Sequence, residues 1–268
     1  MSEDTDVKSV RKRRALAAGI GMTLLILGGY GVFRFLPKAS EEPPVNIGST
    51  QAEPLYSVDT IASTAKNRSA ISRGKIGGAQ VNIFSGIPSS RKDMPVNDDP
   101  FGPTSEEEKA WLDRNGYPNA KQLEAYSSAS DSLLATAAAS GDQIAEVTLA
   151  SRRLMAGDPK AGDDLLASAV AGSGYALDLY AAYMAGSKSN GSVQAAYVLS
   201  RVAELRGNYA HAMSREVMLP RQPNQIERLR WGAEANSLFI QLQALHQDIY
   251  GNSSSWIDVR PMASKQAN

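Results

Sequence analysis

Three stretches decide how this chain is read: LLATAAASG at 133–141, LLASAVAGS at 165–173 and VLSRVAELRG at 198–207. The second begins 32 residues after the first, and the third 33 residues after the second. RLMAG, ending at Gly157, and AYMAG, ending at Gly186, form another shared element. A period of 32–33 residues that holds two helices marks an α-solenoid, in which neither helix pair can bury its apolar face alone. Alanines allow close helix contact, and glycines end each helix and let the chain reverse. This register expects Leu134, Leu166 and Leu199 in the core, with Ala137, Ala169 and Val202 three residues on along the same side.

Helical patterning extends on both sides of the repeat. It predicts helices near 119–140, 142–156, 160–172, 175–186, 191–206, 208–218 and 223–250. The last carries an expected apolar stripe at Ile226, Leu229, Ala233, Ala235, Leu238, Phe239, Leu242, Leu245 and Ile249. Upstream, TSEEEKAWLDRNGYP reads as a helix start, with Thr104 or Ser105 as cap and Glu106–Glu108 at the positive end of the helix dipole. After Gly251 the tail is polar and expected to fray, with Trp256 and Ile257 as the residues able to dock back. The folded domain is therefore expected over 104–250, followed by a tail at 251–268.

Between Pro37 and Pro103 the chain changes character. Eight of the 13 prolines lie there and the apolar residues follow no helical period, so 37–103 reads as an extended Pro-rich linker. A coil of that length separates its ends by about 45–50 Å. Two islands stand out: 58–72 as a short helix and 79–84, AQVNIF, as a strand suited to pairing or folding on a partner.

Ahead of the linker lies ALAAGIGMTLLILGGYGVF, 19 uncharged residues at 15–33. As a helix this spans roughly 28 Å, close to a bilayer's hydrocarbon core. Arg11, Lys12, Arg13 and Arg14 precede it, whereas Arg34 and Lys38 alone follow before Glu41 and Glu42. The positive-inside rule then keeps 1–14 in the cytoplasm, makes 15–36 a transmembrane anchor and exports the rest. A cleaved signal has a shorter apolar core and an A-x-A-like site, which Lys38-Ala39-Ser40 matches poorly. Ala15, Gly19 and Thr23 recur every four residues, a spacing at which two membrane helices can pair as a homodimer.

The 268 residues balance 28 basic against 28 acidic side chains, which leaves no polybasic field for nucleic acid. Cysteine is absent, which excludes disulfides, thiolate metal sites and Cys nucleophiles. His211 and His246 have no partner at metal-ligand spacing, and no nucleophile elbow or phosphate-binding loop occurs. Asp158, Asp163 and Asp164 sit where a helix start favours carboxylates. No cofactor, metal or catalytic residue is expected.

The repeat resembles the Sel1-like branch of the tetratricopeptide superfamily. Leu179, Tyr183 and Gly186 match a first helix; Lys160 with Ala161, then Ala169 and Gly172, match a second. Ala137, Ala138 and Gly141 match the preceding helix end, and Gln194, Ala195, Val202 and Ala203 make a degenerate copy. The family's usual Leu-Gly pair is missing, and the resemblance covers about residues 120–220. It implies an all-α, short solenoid of helix pairs that binds peptides or partner domains on its concave face; the alternative fold is an irregular helical bundle. With the anchor, this points to a bacterial inner-membrane protein whose periplasmic scaffold domain meets other envelope proteins, or to an accessory subunit of a larger membrane machine. The alternative is a helical periplasmic hydrolase acting on cell-wall material, which needs a cleft carboxylate of raised pKa. Glu124, Glu146, Glu204 and Glu216 lie on predicted helices for that role.

Overall fold

The computed structural model describes residues 56–74, 83–92, 94–95, 98–187, 190–251 and 255–261. The basic cluster Arg11, Lys12, Arg13 and Arg14, the anchor at 15–36 and its Ala15, Gly19 and Thr23 lie outside the described residues. Among those described, all regular structure is helical, and no helix is long and apolar enough to cross a membrane.

The chain order is α1 (Val58–Gly74), α2 (Glu106–Arg114), α3 (Ala120–Ser128), α4 (Asp131–Ala139), α5 (Gln143–Met155), α6 (Ala161–Val170), α7 (Gly174–Gly186), α8 (Asn190–Leu205), α9 (Ala210–Met218) and α10 (Gln225–Tyr250). Side chains set most helix starts. Ser105, Ser130, Asp142 and Ser173 accept backbone N–H groups of the first turns of α2, α4, α5 and α7. Asn119 with Gln122, and Asn224 with Glu227, complete reciprocal capping boxes on α3 and α10. The helix expected over 119–140 is two helices. Ala129 is extended (φ −64°, ψ 147°), and Ser130 uses its side chain to cap a new start.

One closure recurs after α4, α5, α6 and α8. A glycine of positive φ (Gly141, Gly157, Gly172, Gly207) lets the next N–H reach the carbonyl five residues back: Asp142 to Ala137, Asp158 to Arg153, Ser173 to Ser168, Asn208 to Ala203. Each consecutive pair from α4 to α9 packs together. The chain then departs from this order, because α10 runs back over α8, α6 and α1.

The core forms two clusters. The larger contains Leu166, Ala169, Leu199 and Val202 with residues of α1, α2, α7 and α10. The smaller contains Leu134, Ala137, Tyr126 and Ala145, closed by Ile83 and Phe84. All six repeat positions are buried, yet Leu134 and Ala137 do not share a cluster with the other four. The short side chains of α4 leave room that Phe84 fills by stacking on Tyr126, with ring centroids 4.2 Å apart.

The span read as linker contributes to this body wherever it is described. In α1, Ile61 and Ala65 are fully buried against α6 and α10. The α-helical island at 58–72 is thus present and docked, whereas Ile83 and Phe84 of the expected strand sit in a turn; 79–82 lie outside the described residues. Arg91 is fully buried, ion-paired to Asp99 at 2.5 Å and Asp113 at 2.7 Å, and donates to the carbonyls of Tyr117 and Pro118. A buried guanidinium requires such partners, so this stretch is held by polar contacts that leave no periodic sequence trace.

On α10 the expected stripe divides. Trp231, Ala235, Leu238, Leu242, His246 and Ile249 are buried. Ile226 and Leu229 are 77% and 71% exposed, and Ala233 is exposed. At about 100° per residue these three lie opposite the buried set, so one face alone packs on the body.

Candidate functional site

Asp178 is the one ionisable carboxylate in α7, GYALDLYAAYMAG, and it gathers polar groups from three other segments. Tyr117 donates its hydroxyl to Asp178 Oδ2 at 2.6 Å, Asn208 Nδ2 lies 3.5 Å from the same oxygen, and His211 Nε2 lies 2.6 Å from Oδ1. Ser200 Oγ is 3.2 Å from His211 Nδ1. The carboxylate only accepts, so Nε2 carries the proton, and in the neutral ring Nδ1 accepts from the Ser200 hydroxyl. Burial, then the Asp178 charge, pushes the Tyr117 hydroxyl well above its ordinary pKa, so it remains a donor.

Serine, histidine and aspartate in this order invite comparison with a nucleophilic triad. Ser200 and His211 are both buried, however, and Arg215 Nε donates to the same hydroxyl oxygen at 3.3 Å. The Arg215 guanidinium also pairs with Glu204, which in turn pairs with Arg201. These contacts use the relay to fasten α7, α8 and α9 together.

Beside this hub the C-terminal strap, residues 255–261, crosses the body. Its backbone pairs with the end of α8: Asp258 N donates to Arg206 O and Arg260 N to Gly207 O, both at 3.0 Å. Trp256 Nε1 donates to the Ala169 carbonyl at 2.8 Å, and Trp111 Nε1 to the Asp258 carbonyl at 2.8 Å. Trp256 thus docks as expected from sequence, whereas Ile257 is 40% exposed. Arg260 reaches Glu108 at 2.7 Å and lies over the Trp111 ring. Burial opposes charge on Glu108, but the Thr104 N–H and hydroxyl together with Arg260 outweigh it and hold the carboxyl below its usual range. Arg206 donates to the Gly172 carbonyl, and burial pushes its pKa down to about 10. Asp178, Arg206, Asn208 and Asp258 face a shallow recess floored by Trp111, Tyr117 and Leu177.

A second polar cluster fastens α1. Arg68 donates to the Asp164 carbonyl at 3.0 Å and the Ser168 hydroxyl at 2.8 Å, and pairs with Glu146. Burial raises the Glu146 carboxyl above its ordinary pKa despite Arg68, and the neighbouring Asp164 adds to the rise. Of the four glutamates considered from sequence, Glu146 has this raised value; Glu204 is lowered by its arginines against its burial. Asp158 and Asp164 share Arg153, and Asp163 is raised by burial. His246 donates through Nδ1 to the Val170 carbonyl at 2.7 Å, since a carbonyl only accepts, while its Nε2 is buried without a partner. Among the described residues no group of His, Asp or Glu is arranged to hold a metal ion.

Sequence reading missed Arg91, Asp99 and the strap residues Asp258 and Arg260, because isolated charges in irregular segments have no period. Asp178 carried a usable sign, a lone charge inside an apolar helix. Comparison with known proteins finds no matching family, no curated relative and no solved structure.

Uncovered apolar surface is concentrated at α9 and α10. Tyr209, the N-cap of α9, and Met213 and Val217 within it recur every four residues and are 48%, 66% and 73% exposed. The Glu216–Arg228 ion pair at 3.2 Å ties α9 to the first turns of α10, where Ile226 and Leu229 are exposed.

Proposed function

We propose that this chain is a membrane-anchored interaction scaffold of the bacterial envelope, with a Sel1/tetratricopeptide-like helical repeat exported on a single N-terminal span. The recurrent glycine closure after α4, α5, α6 and α8 and the stepwise packing from α4 to α9 support the repeat reading. The observation that carries the scaffold role is the uncovered face of α9. A solenoid's terminal helix needs a polar outer face to remain soluble alone. Here Tyr209, Met213 and Val217 stand exposed on the last helix of the stack. Three apolar side chains in line on one helix face suit a partner that continues the stack. Such a partner is another envelope protein, and the chain serves as its docking subunit. Pairing of two anchors through Ala15, Gly19 and Thr23 would double the number of docking faces.

The hydrolase alternative finds its raised carboxylate in Glu146, but that side chain is engaged by Arg68 at the root of α1. An interaction role accounts for the exposed α9 face, which catalysis leaves unexplained.

The test uses the full chain in its native membrane. Wild type and the double variant Met213→Asp, Val217→Asp are cross-linked in cells and recovered after detergent extraction. A specific partner is expected with wild type and lost with the variant. Equal recovery from both overturns the α9 surface. A soluble wild-type product starting near residue 40 overturns the anchor.

A further inference from the structure

Helix α9 is held differently from its neighbours. It buries one of its nine residues, His211, and no side chain caps its start at Tyr209. Helices α3 and α4 are as short, but each buries two side chains and is capped, by Asn119 and Ser130. Helix α6 also lacks a side-chain cap, yet eight of its ten residues are buried. Helix α9 packs on α8, and its tie to α10, Glu216 to Arg228, joins two exposed side chains at 3.2 Å. An exposed ion pair contributes little. Apolar burial therefore does little to keep α9 on the body.

Polar contacts take its place, and they converge on the one buried side chain. His211 donates from Nε2 to Asp178 of α7 at 2.6 Å and accepts at Nδ1 from Ser200 of α8 at 3.2 Å. One turn on, Arg215 donates to Ser200 Oγ at 3.3 Å, pairs with Glu204 and lies over the Tyr197 ring, all on α8. Asp178 has Tyr117 as a donor independently of α9. The chain is firmly placed on both sides of the helix, with Asn208 buried before it and Leu219 and Pro223 buried after it.

We propose that residues 209–218 open as a separate unit, and that His211, held between Asp178 and Ser200, is its latch. A unit with few buried contacts opens far more often than the whole body unfolds. Opening removes Arg215 from Ser200 and Glu204, and it withdraws Tyr209, Met213 and Val217 from their fixed places beside α8. It is a property of the isolated chain and so goes beyond the scaffold reading; only its consequence for docking, that a partner must capture the closed helix, rests on that reading.

Hydrogen exchange on the purified full chain in detergent reads the opening directly and needs no partner. Relative to their intrinsic rates, the amides of 213–218 should exchange at least about tenfold faster than those of 194–205 in α8. Low urea should speed α8 but not α9, since local opening exposes little surface. His211→Ala should speed α9 by a further factor of roughly ten, with α8 unchanged. Alanine is the better helix former, so propensity cannot cause that change. His211→Gln, which can still donate to Asp178 and accept from Ser200, should return α9 close to wild type. Equal protection of α9 and α8 in wild type overturns the separate unit, and this comparison needs no variant. An α9 rate unmoved by His211→Ala, or α8 and α9 accelerated together, overturns the latch. So does a His211→Gln protein that exchanges like His211→Ala. Failure of the docking reading shows elsewhere, as equal partner recovery from wild type and the Met213→Asp, Val217→Asp variant, and leaves these exchange rates as they are.

Discussion

Arg206 and Trp256 are 50 residues apart in sequence, yet the guanidinium Nε donates to the Trp256 carbonyl at 3.1 Å and lies over the indole ring, 5.6 Å from its centroid. The tail is thereby fastened to the end of α8, and its indole seals the main cluster next to Phe239.

Trp256→Ala removes the seal, the Trp256 Nε1 bond to Ala169 and the cation–π contact together. A loss of roughly 3–5 kcal/mol is expected for a buried aromatic truncated to alanine. A urea melt of the full chain checks it; a change under about 1 kcal/mol would mean that the strap is only loosely held.

Gly207→Ala should be severely destabilising. The residue has φ 119°, and an added Cβ would meet the Asp258 carbonyl oxygen at 2.5 Å, which belongs to the strap's backbone. Both strain and clash act at one point. Gly157→Ala, at φ 87° with nothing near its Cβ, carries only the backbone strain, so its melting temperature should fall less.

The repeat register predicts unequal leucines. Leu166→Ala, fully buried in the main cluster, should cost roughly 2–5 kcal/mol, and Ala169→Leu should also destabilise because the site has no spare volume. Leu229→Ala, on the exposed stripe, should stay within about 0.5 kcal/mol. Thermal melts of the three variants compare them; a neutral Leu166→Ala would remove the register.

Arg91→Met leaves Asp99 buried beside an apolar side chain. The expected cost is about 3–5 kcal/mol, the usual result of stranding one partner of a buried pair. Hydrogen exchange should show accelerated opening around residues 84–101, whereas α8 keeps its protection.

Two carboxylates should move the acid limb of stability in opposite senses. Glu108 has a lowered folded pKa, so its contribution is present above the unfolded value of about 4.3 and is lost as pH falls through the folded value. Glu146 has a raised one, so its contribution is complete below about 4.3 and is lost as pH rises through the folded value. In urea midpoints between about pH 3 and pH 7, Glu108→Gln should flatten the acid limb, whereas Glu146→Gln should gain on wild type as pH rises above about 4.3. Parallel curves for all three proteins would contradict both assignments.

Much of the helical layout was legible because local rules act within a few residues. Caps at Ser105, Asp142, Ser173 and Asn224 and glycines after α4, α5, α6 and α8 mark most helix ends in the sequence itself. The 32–33-residue spacing picked out six positions that are all buried. The break at Ala129 was not legible, since an alanine-rich run gives no sign that Ser130 will cap a second helix.

By itself the sequence determined the helical class and the alternation of helix and glycine turn. It also determined that cysteine chemistry is impossible here. Tertiary structure decided the rest. It placed α1 and Arg91 in the body, because a few long-range polar contacts outweigh a proline-rich composition. It drew Asp178, His211 and Ser200 together across 33 residues of chain, a proximity that no local pattern encodes. It also chose which apolar face of α10 to bury. A helix with apolar residues on two sides can pack either one, and only the shape of the surface beneath it, built by α8, α6 and α1, settles the choice.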